Sequence, residues 1–126
     1  MAEKRIEITD ENGRITMAEE VIVAIARIAA ERVTGIARST GGAGGLKGIF
    51  GGEDIAPAVK IELANDQARI ELRIAVEYGY AVHAVARGVQ ENVEVDVERL
   101  AGVAVSSVDV YVKKVVPPQT HDSGSN

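Results

Sequence analysis

The stretch PAVKIELANDQARIELRIAVEYG, running from Pro57 to Gly79, decides the fold. Val59, Ile61 and Leu63 alternate with Lys60 and Glu62, while Ile70, Leu72, Ile74 and Val76 alternate with Arg69, Glu71 and Arg73. Successive side chains on a strand point to opposite faces, so each run predicts a strand with one apolar and one charged face. Asn65-Asp66 lies between the runs, and both residue types tolerate left-handed backbone, so the two strands form a hairpin. A sheet patterned this way has one covered face and one wet face. Helices should therefore pack on one side only.

Downstream, EYGYAVHAVARGVQENV (Glu77–Val93) ends the second strand, turns at Gly79 and starts a helix. From Tyr80 to about Leu100, the residues Val82, Val85, Ala86, Val89, Val93, Val97 and Leu100 recur at three and four, which is a helix face. Val93-Glu94-Val95-Asp96-Val97 alternates at period two and competes as a strand. The unbroken stripe and the following Gly102 decide for helix. The closing run VAVSSVDVYVKKVV (Val103–Val116) is a strand whose phase slips at Ser106-Ser107, which predicts a bulge or short bend there. Pro117-Pro118 stops it, and PPQTHDSGSN reads as a disordered tail over residues 117–126.

Upstream, TGGAGGLKGIFGG (Thr40–Gly52) has seven glycines in thirteen residues and is expected to be a mobile loop. Ile36–Ser39 is expected to be a short strand, and Thr34-Gly35 ends a preceding helix. That helix is expected to begin at Thr16, where Thr16 and Glu19 fit a capping box. Its apolar set is Met17, Val21, Ala24, Ile25 and Ile28, with Ala26, Ala29 and Ala30 filling much of the remainder, so it should pack on more than one side. Ile6–Ile8 suits a short strand closed by the Asn12-Gly13 turn signal. The order is (β)-α-β-β-β-α-β, which predicts an α+β fold: a two-layer α/β sandwich with a mixed or antiparallel sheet and two helices on one face. Residues 1–116 are expected to form a single domain.

Composition narrows function. The chain has 126 residues, with 14 Lys plus Arg against 19 Asp plus Glu and a net charge of -5, which disfavours nucleic acid as a partner. It has no cysteine, so disulfides, thiolate chemistry and Cys-based zinc sites are excluded. One Phe, three Tyr and no Trp leave few stacking platforms for single-stranded nucleic acid. No run reaches the roughly 18 to 20 apolar residues that cross a bilayer, and no leader is evident, so a cytoplasmic protein without direct membrane insertion is expected.

Motifs for chemistry are sparse. His83, Arg87, Gln90, Glu91, Glu94 and Glu98 lie opposite the valine stripe, on a convex face that lacks the enclosure general acid-base catalysis needs. They read as a solvated face with weak pairs such as Arg87 with Glu91. The glycine loop is neither GxxxxGK followed by Ser or Thr nor GxGxxG. Gly45-Leu46-Lys47-Gly48 does match the GxxG of KH-type RNA binders, although here it is expected between strands rather than helices. Two histidines without patterned carboxylates point to no metal site. No catalytic residue and no cofactor are expected.

The order of short motifs resembles the alkaline-shock-protein (Gls-type) family of bacterial envelope stress response proteins. The carriers at the start are Gly13, Ile15, Ala18, Glu20, Val21, Ala29, Ala30, Val33 and Gly35. Tyr78, Gly79, Val89, Gln90 and Val93 follow, then Gly102, Val103, Val105, Val108 and Val110. The resemblance spans residues 13–115. The departures are LKGIF among glycines, where members often have a longer apolar helical piece, and Pro57-Ala58-Val59 in place of a usual K-G-V.

The resemblance implies a small non-enzymatic cytoplasmic protein that supports envelope homeostasis. It would do so as a scaffold or interaction module, by self-association as a homo-oligomer and by docking to a membrane-anchored relative. Leu46, Ile49 and Phe50 in the glycine loop, with Tyr78 and Tyr80 at the strand-to-helix corner, are the candidate partner contacts. An RNA-binding module using Gly45–Gly48 is the alternative, and salt-dependent RNA retention would reveal it. A third reading places an enzyme or small-molecule site at Tyr78–His83.

Overall fold

A computed structural model describes residues 5–38 and 55–118. The Pro57–Gly79 stretch folds as expected: β3 (Ala58–Ala64) and β4 (Gln67–Glu77) pair antiparallel, with Ile61 opposite Ile70 and Leu63 opposite Ala68. Asn65 and Asp66 both take positive φ, at 55° and 65°. Two left-handed residues in a two-residue loop match the twist of the flanking strands. Strand β4 is central in a three-stranded sheet ordered β3-β4-β5. Its inward residues Ile70, Leu72, Ile74 and Val76 are fully buried, each contributing about 1.5–3 kcal/mol.

Helix α2 (Val82–Asp96) connects β4 to β5 (Ala104–Val116), which lies parallel to β4, so the sheet is mixed. A parallel pair needs such a crossover, and the helix of the crossover covers the sheet. Val85, Val89, Val93 and Val97 are buried as the stripe requires, and the ambiguous valine alternation is helical. Residues Val97–Ala101 widen into a π-helical turn that ends at Gly102, whose φ is 72°. Leu100 and Val82, expected in the buried stripe, are instead 56% and 37% exposed. The π turn breaks the helical spacing ahead of Leu100, and Val82 stands at the first position of the helix. The bulge forecast at Ser106 is present: Val105 is opposite Ala68 and Ser107 opposite Arg69. A second irregularity falls at Lys113, between Val112 opposite Ile74 and Lys114 opposite Ala75.

The N-terminal region corrects the reading at two points. Thr16 does not cap a helix: it lies in β2 (Gly13–Ala18), opposite Glu7 of β1 (Arg5–Asp10). Helix α1 runs Glu19–Glu31, and its N-cap, Ala18, makes no side-chain capping bond. Cross-strand pairing of Ile6 with Met17 and Ile8 with Ile15 overrides the local capping signal. The Asn12 N–H donates to Asp10 Oδ1 at 2.8 Å and tightens the hairpin turn.

The second correction is the face of α1. Its buried residues are Ile22, Ala26, Ala29 and Ala30, whereas Val21 is 44% and Ile28 is 57% exposed, and Ala24 is exposed with them. Close approach to α2 selects alanine over the bulkier stripe. Gly88 of α2 faces Val33, where a Cβ would stand 3.2 Å from Cγ1. Asn92 Nδ2 donates to the Ala29 carbonyl at 3.2 Å.

Of the short strand expected after α1, one bridge remains, Ile36 opposite Val76. The Ala37 N–H donates to the Ala75 carbonyl at 2.9 Å and the Glu77 N–H to the Gly35 carbonyl at 2.8 Å. The glycine-rich stretch 40–52 and the tail from 119 lie outside the described residues.

Candidate partner-docking surface

The strand-to-helix corner is built by backbone geometry. Strand β4 ends at Glu77, and the Tyr78 N–H continues the sheet by donating to the Val116 carbonyl at 2.7 Å. The chain then reverses at Gly79, whose φ of 111° suits glycine. The N–H groups of Ala84 and Val85 donate to the Ala81 carbonyl at 3.0 Å, and α2 begins.

The two tyrosines flanking Gly79 have different roles. Tyr80 is 44% exposed, and its ring rests against Gly35, where a Cβ would come within 2.9 Å of Tyr80 Cγ. It closes the junction between the end of α1 and the start of α2. Tyr78 is 71% exposed beside Val115, Val116, Pro117 and Pro118, which line a shallow, open cleft of about 360 Å³ with it. An exposed aromatic next to apolar, backbone-stiff prolines is a suitable anchor point for a protein partner. Val115, Pro117 and Pro118 are further candidate contacts beside Tyr78, absent from the sequence-based set. The double proline is the available signal, but in sequence it reads only as a strand stop.

The other sequence-nominated residues separate. Leu46, Ile49, Phe50 and the Gly45–Gly48 motif lie outside the described residues. His83 and Arg87 are exposed on α2. Gln90 is not merely solvated: its Nε2 donates to the Val108 carbonyl at 3.0 Å. Glu98 Oε2 accepts from the Val105 N–H at 2.9 Å. These two side chains hold the helix and its π turn to β5. Among the described residues, the ion pair at the end of this helix joins Arg99 to Asp96 at 3.2 Å rather than Arg87 to Glu91.

An open groove of about 910 Å³ lies beside β3, lined by Glu19, Glu20, Lys60, Glu62, Arg69 and Asp109 among others. It mixes both signs of charge, and Arg69 stands 3.8 Å from Asp109 across it. On the same outer face, Arg73 sits over the Tyr111 ring at 4.8 Å from its centroid. The wet face of the sheet is thus a set of exposed cross-strand pairs. Among the described residues, no charged or polar side chain is buried and no group of three His, Cys, Asp or Glu could hold a metal ion.

Comparison with known proteins decides the relationship. The model of the alkaline shock protein 23 family, described by its "cell envelope-related function", matches residues 7–117. The chain belongs to this alkaline shock protein family. Two relatives from Bacillus subtilis (strain 168) support the assignment. The uncharacterized protein YloU is 33% identical over 113 residues, covering 87% of this chain and 94% of its own. The uncharacterized protein YqhY is 32% identical over 101 residues, covering 79% and 75%. The resemblance read from the ordered motifs is therefore correct, and the family's function is cell envelope-related. Among solved structures, a MamM CTD structure aligns with a TM-score of 0.48 and 17% identity, covering 76% of this chain and 96% of that one. Among the described residues, no helix is long and apolar enough to cross a membrane.

Proposed function

We propose that the protein is a non-enzymatic interaction module of the cell envelope, acting by self-association and by docking onto a membrane-anchored protein partner. The observation that carries the docking part is the corner at Tyr78. This aromatic side chain is 71% exposed, next to a 48% exposed Val115 and two prolines, at a junction fixed by the Tyr78 to Val116 hydrogen bond. Rigid backbone beneath an exposed aromatic lowers the entropic cost of binding. The non-enzymatic part is supported by the placement of His83 and Arg87 on a convex, exposed helix face and by the use of Gln90 and Glu98 in holding α2 and its π turn to β5. The family's envelope-related function supplies the context.

Membrane-fraction recovery from cells tests the proposal. Tyr78→Ser and Val115→Ser should each lower the share of protein that sediments with membranes while leaving the melting temperature within a few degrees of the parent. Recovery equal to that of the parent in the double variant would remove the corner as the docking site. A folded His83→Ala variant with complete loss of cellular function would instead revive the catalytic reading.

A further inference from the structure

The outer edge of β5 is a poor place for a second chain to add. Bulges interrupt it at Ser106 and Lys113, Lys113 and Lys114 sit in its second half, and Glu98 and Gln90 occupy the Val105 N–H and the Val108 carbonyl. Bulges, lysines and covering side chains all blunt strand addition. Among the described residues, the outer surface of the helix layer has no such protection. Val21 and Ile28 of α1 are 44% and 57% exposed, and Val95 and Leu100 beyond them are 57% and 56% exposed.

These residues belong to one surface. Gly88 lies against Val33 and Asn92 against Ala29, so the helices run antiparallel, with each step down α1 matching a step up α2. Continuing that register sets Val95 level with Ile25 and Ala26, and Leu100 level with Val21. The packing of the π turn on α1 agrees with this. Val95 also follows Gly88 and Asn92 at the helical spacing of the row that faces α1.

We infer that this face pairs with the same face of a second copy, two α1 helices crossing antiparallel at Ala24. The inference deepens the self-association part of the proposed function, on which it rests, by naming its surface. Charge and shape both point to self-pairing. Glu20 and Arg27, both exposed, flank the Val21 to Ile28 stripe at a seven-residue separation. A two-fold axis through Ala24 brings Val21 of one copy against Ile28 of the other, and Glu20 against Arg27, twice over by symmetry. The small side chain of Ala24 lets the helices approach at the crossing. The helix pair presents a face of about 20 Å by 20 Å, from about 1.5 Å per residue along each helix and about 10 Å between axes. That is small for a permanent interface, so the pair is reversible and depends on concentration.

The test is sedimentation equilibrium of the full chain at low salt over a wide concentration range, with circular dichroism to establish folding. The parent should dimerise. Glu20→Arg and Arg27→Glu should each weaken the dimer by about tenfold or more, because each creates two like-charged contacts. The double swap E20R/R27E should restore most of the affinity, and Ile28→Glu should abolish pairing. A parent that stays monomeric throughout overturns the inference and leaves the face to a different partner, with Tyr78-dependent membrane recovery unaffected. A dimer indifferent to both charge reversals, or one not rescued by the double swap, overturns it equally.

Discussion

Replacing Gly35 by alanine probes the junction on which the helix layer and the docking corner both depend. Gly35 has a φ of 97°, and a Cβ there would lie 2.8 Å from Val85 Cγ2 and 2.9 Å from Tyr80 Cγ. Two costs follow. Left-handed backbone in an L-residue costs about 1–2 kcal/mol, and overpacking a closed site typically costs about 1–3 kcal/mol. Together they come to about 2–5 kcal/mol. In urea that moves the unfolding midpoint down by roughly 1–2.5 M at a slope of about 2 kcal/mol per molar, mid-range for small proteins. Two glycines serve as internal controls. Gly79 has a φ of 111°, but nothing lies within 4 Å of where its Cβ would stand, so Gly79→Ala should cost the backbone part alone, about 1–2 kcal/mol. Gly88 sits in α2 with Val33 Cγ1 at 3.2 Å, so the helix propensity gain of about 1 kcal/mol should offset the tight contact. Adding Tyr80→Ala to Gly35→Ala should recover part of the packing cost, which a purely conformational penalty would not allow. Equal midpoints for Gly35→Ala and the parent, or equal losses at Gly35 and Gly79, would refute the account of Tyr80 as a ring seated on Gly35.

Further outcomes follow from the same contacts. Ile74→Ala should cost about 2–5 kcal/mol in chemical denaturation, since Ile74 is fully buried in the central strand. Gln90→Ala should cost about 0.5–1.5 kcal/mol by freeing the Val108 carbonyl, while His83→Ala and Arg87→Ala stay within about 0.5 kcal/mol of the parent; equal effects at all three would contradict the division of that helix. Asp109→Asn should shift stability by no more than about 1 kcal/mol, because its partner Arg69 stands 3.8 Å away with both side chains more than half exposed. Hydrogen exchange should be slowest in β4, whose inward residues are fully buried, and fast amides there would contradict its central place in the sheet.

How much of the fold is legible in the sequence follows from how local each signal is. The β3-β4 hairpin repeats one pattern along two strands around a turn that needs two left-handed residues, so period and chemistry agree. The bulge at Ser106 is visible because the valine phase slips there. The one at Lys113 carries a comparable slip, from Val112 to Val115 across two lysines, which a reading of the closing run with a single phase change passes over. The start of α1 is misread because Thr16 and Glu19 satisfy a local capping pattern, and only pairing with β1, which is a tertiary contact, shows that Thr16 belongs to a strand. The face of α1 is misread for a related reason. Its apolar residues surround the helix, and the larger ones suggest the core face, whereas tight packing against α2 and the sheet admits Ala26, Ala29 and Ala30. Tyr78 is nominated because tyrosines flank a turn glycine, and its exposure keeps it a candidate contact. The same signal pairs Tyr80 with it, although packing on Gly35 gives Tyr80 a structural task.

The two proposed surfaces are compatible in space, and their combination has a consequence neither has alone. Tyr78 lies at the junction where α1 ends and α2 begins, whereas the self-pairing axis passes through Ala24, eleven residues before Gly35. Helical rise places that axis about 10 Å or more from the corner, given about 1.5 Å per residue over the helical part. A two-fold pair therefore carries two Tyr78 corners, both free to dock. If the anchored partner is itself held in a membrane, binding the first corner raises the local concentration of the second site, and overall retention exceeds that of a single contact. Arg27→Glu should then lower membrane recovery without touching Tyr78, and the double swap with Glu20→Arg should restore it. A Tyr78→Ser chain should dimerise normally and still fail to sediment with membranes, because pairing supplies valency but no anchor.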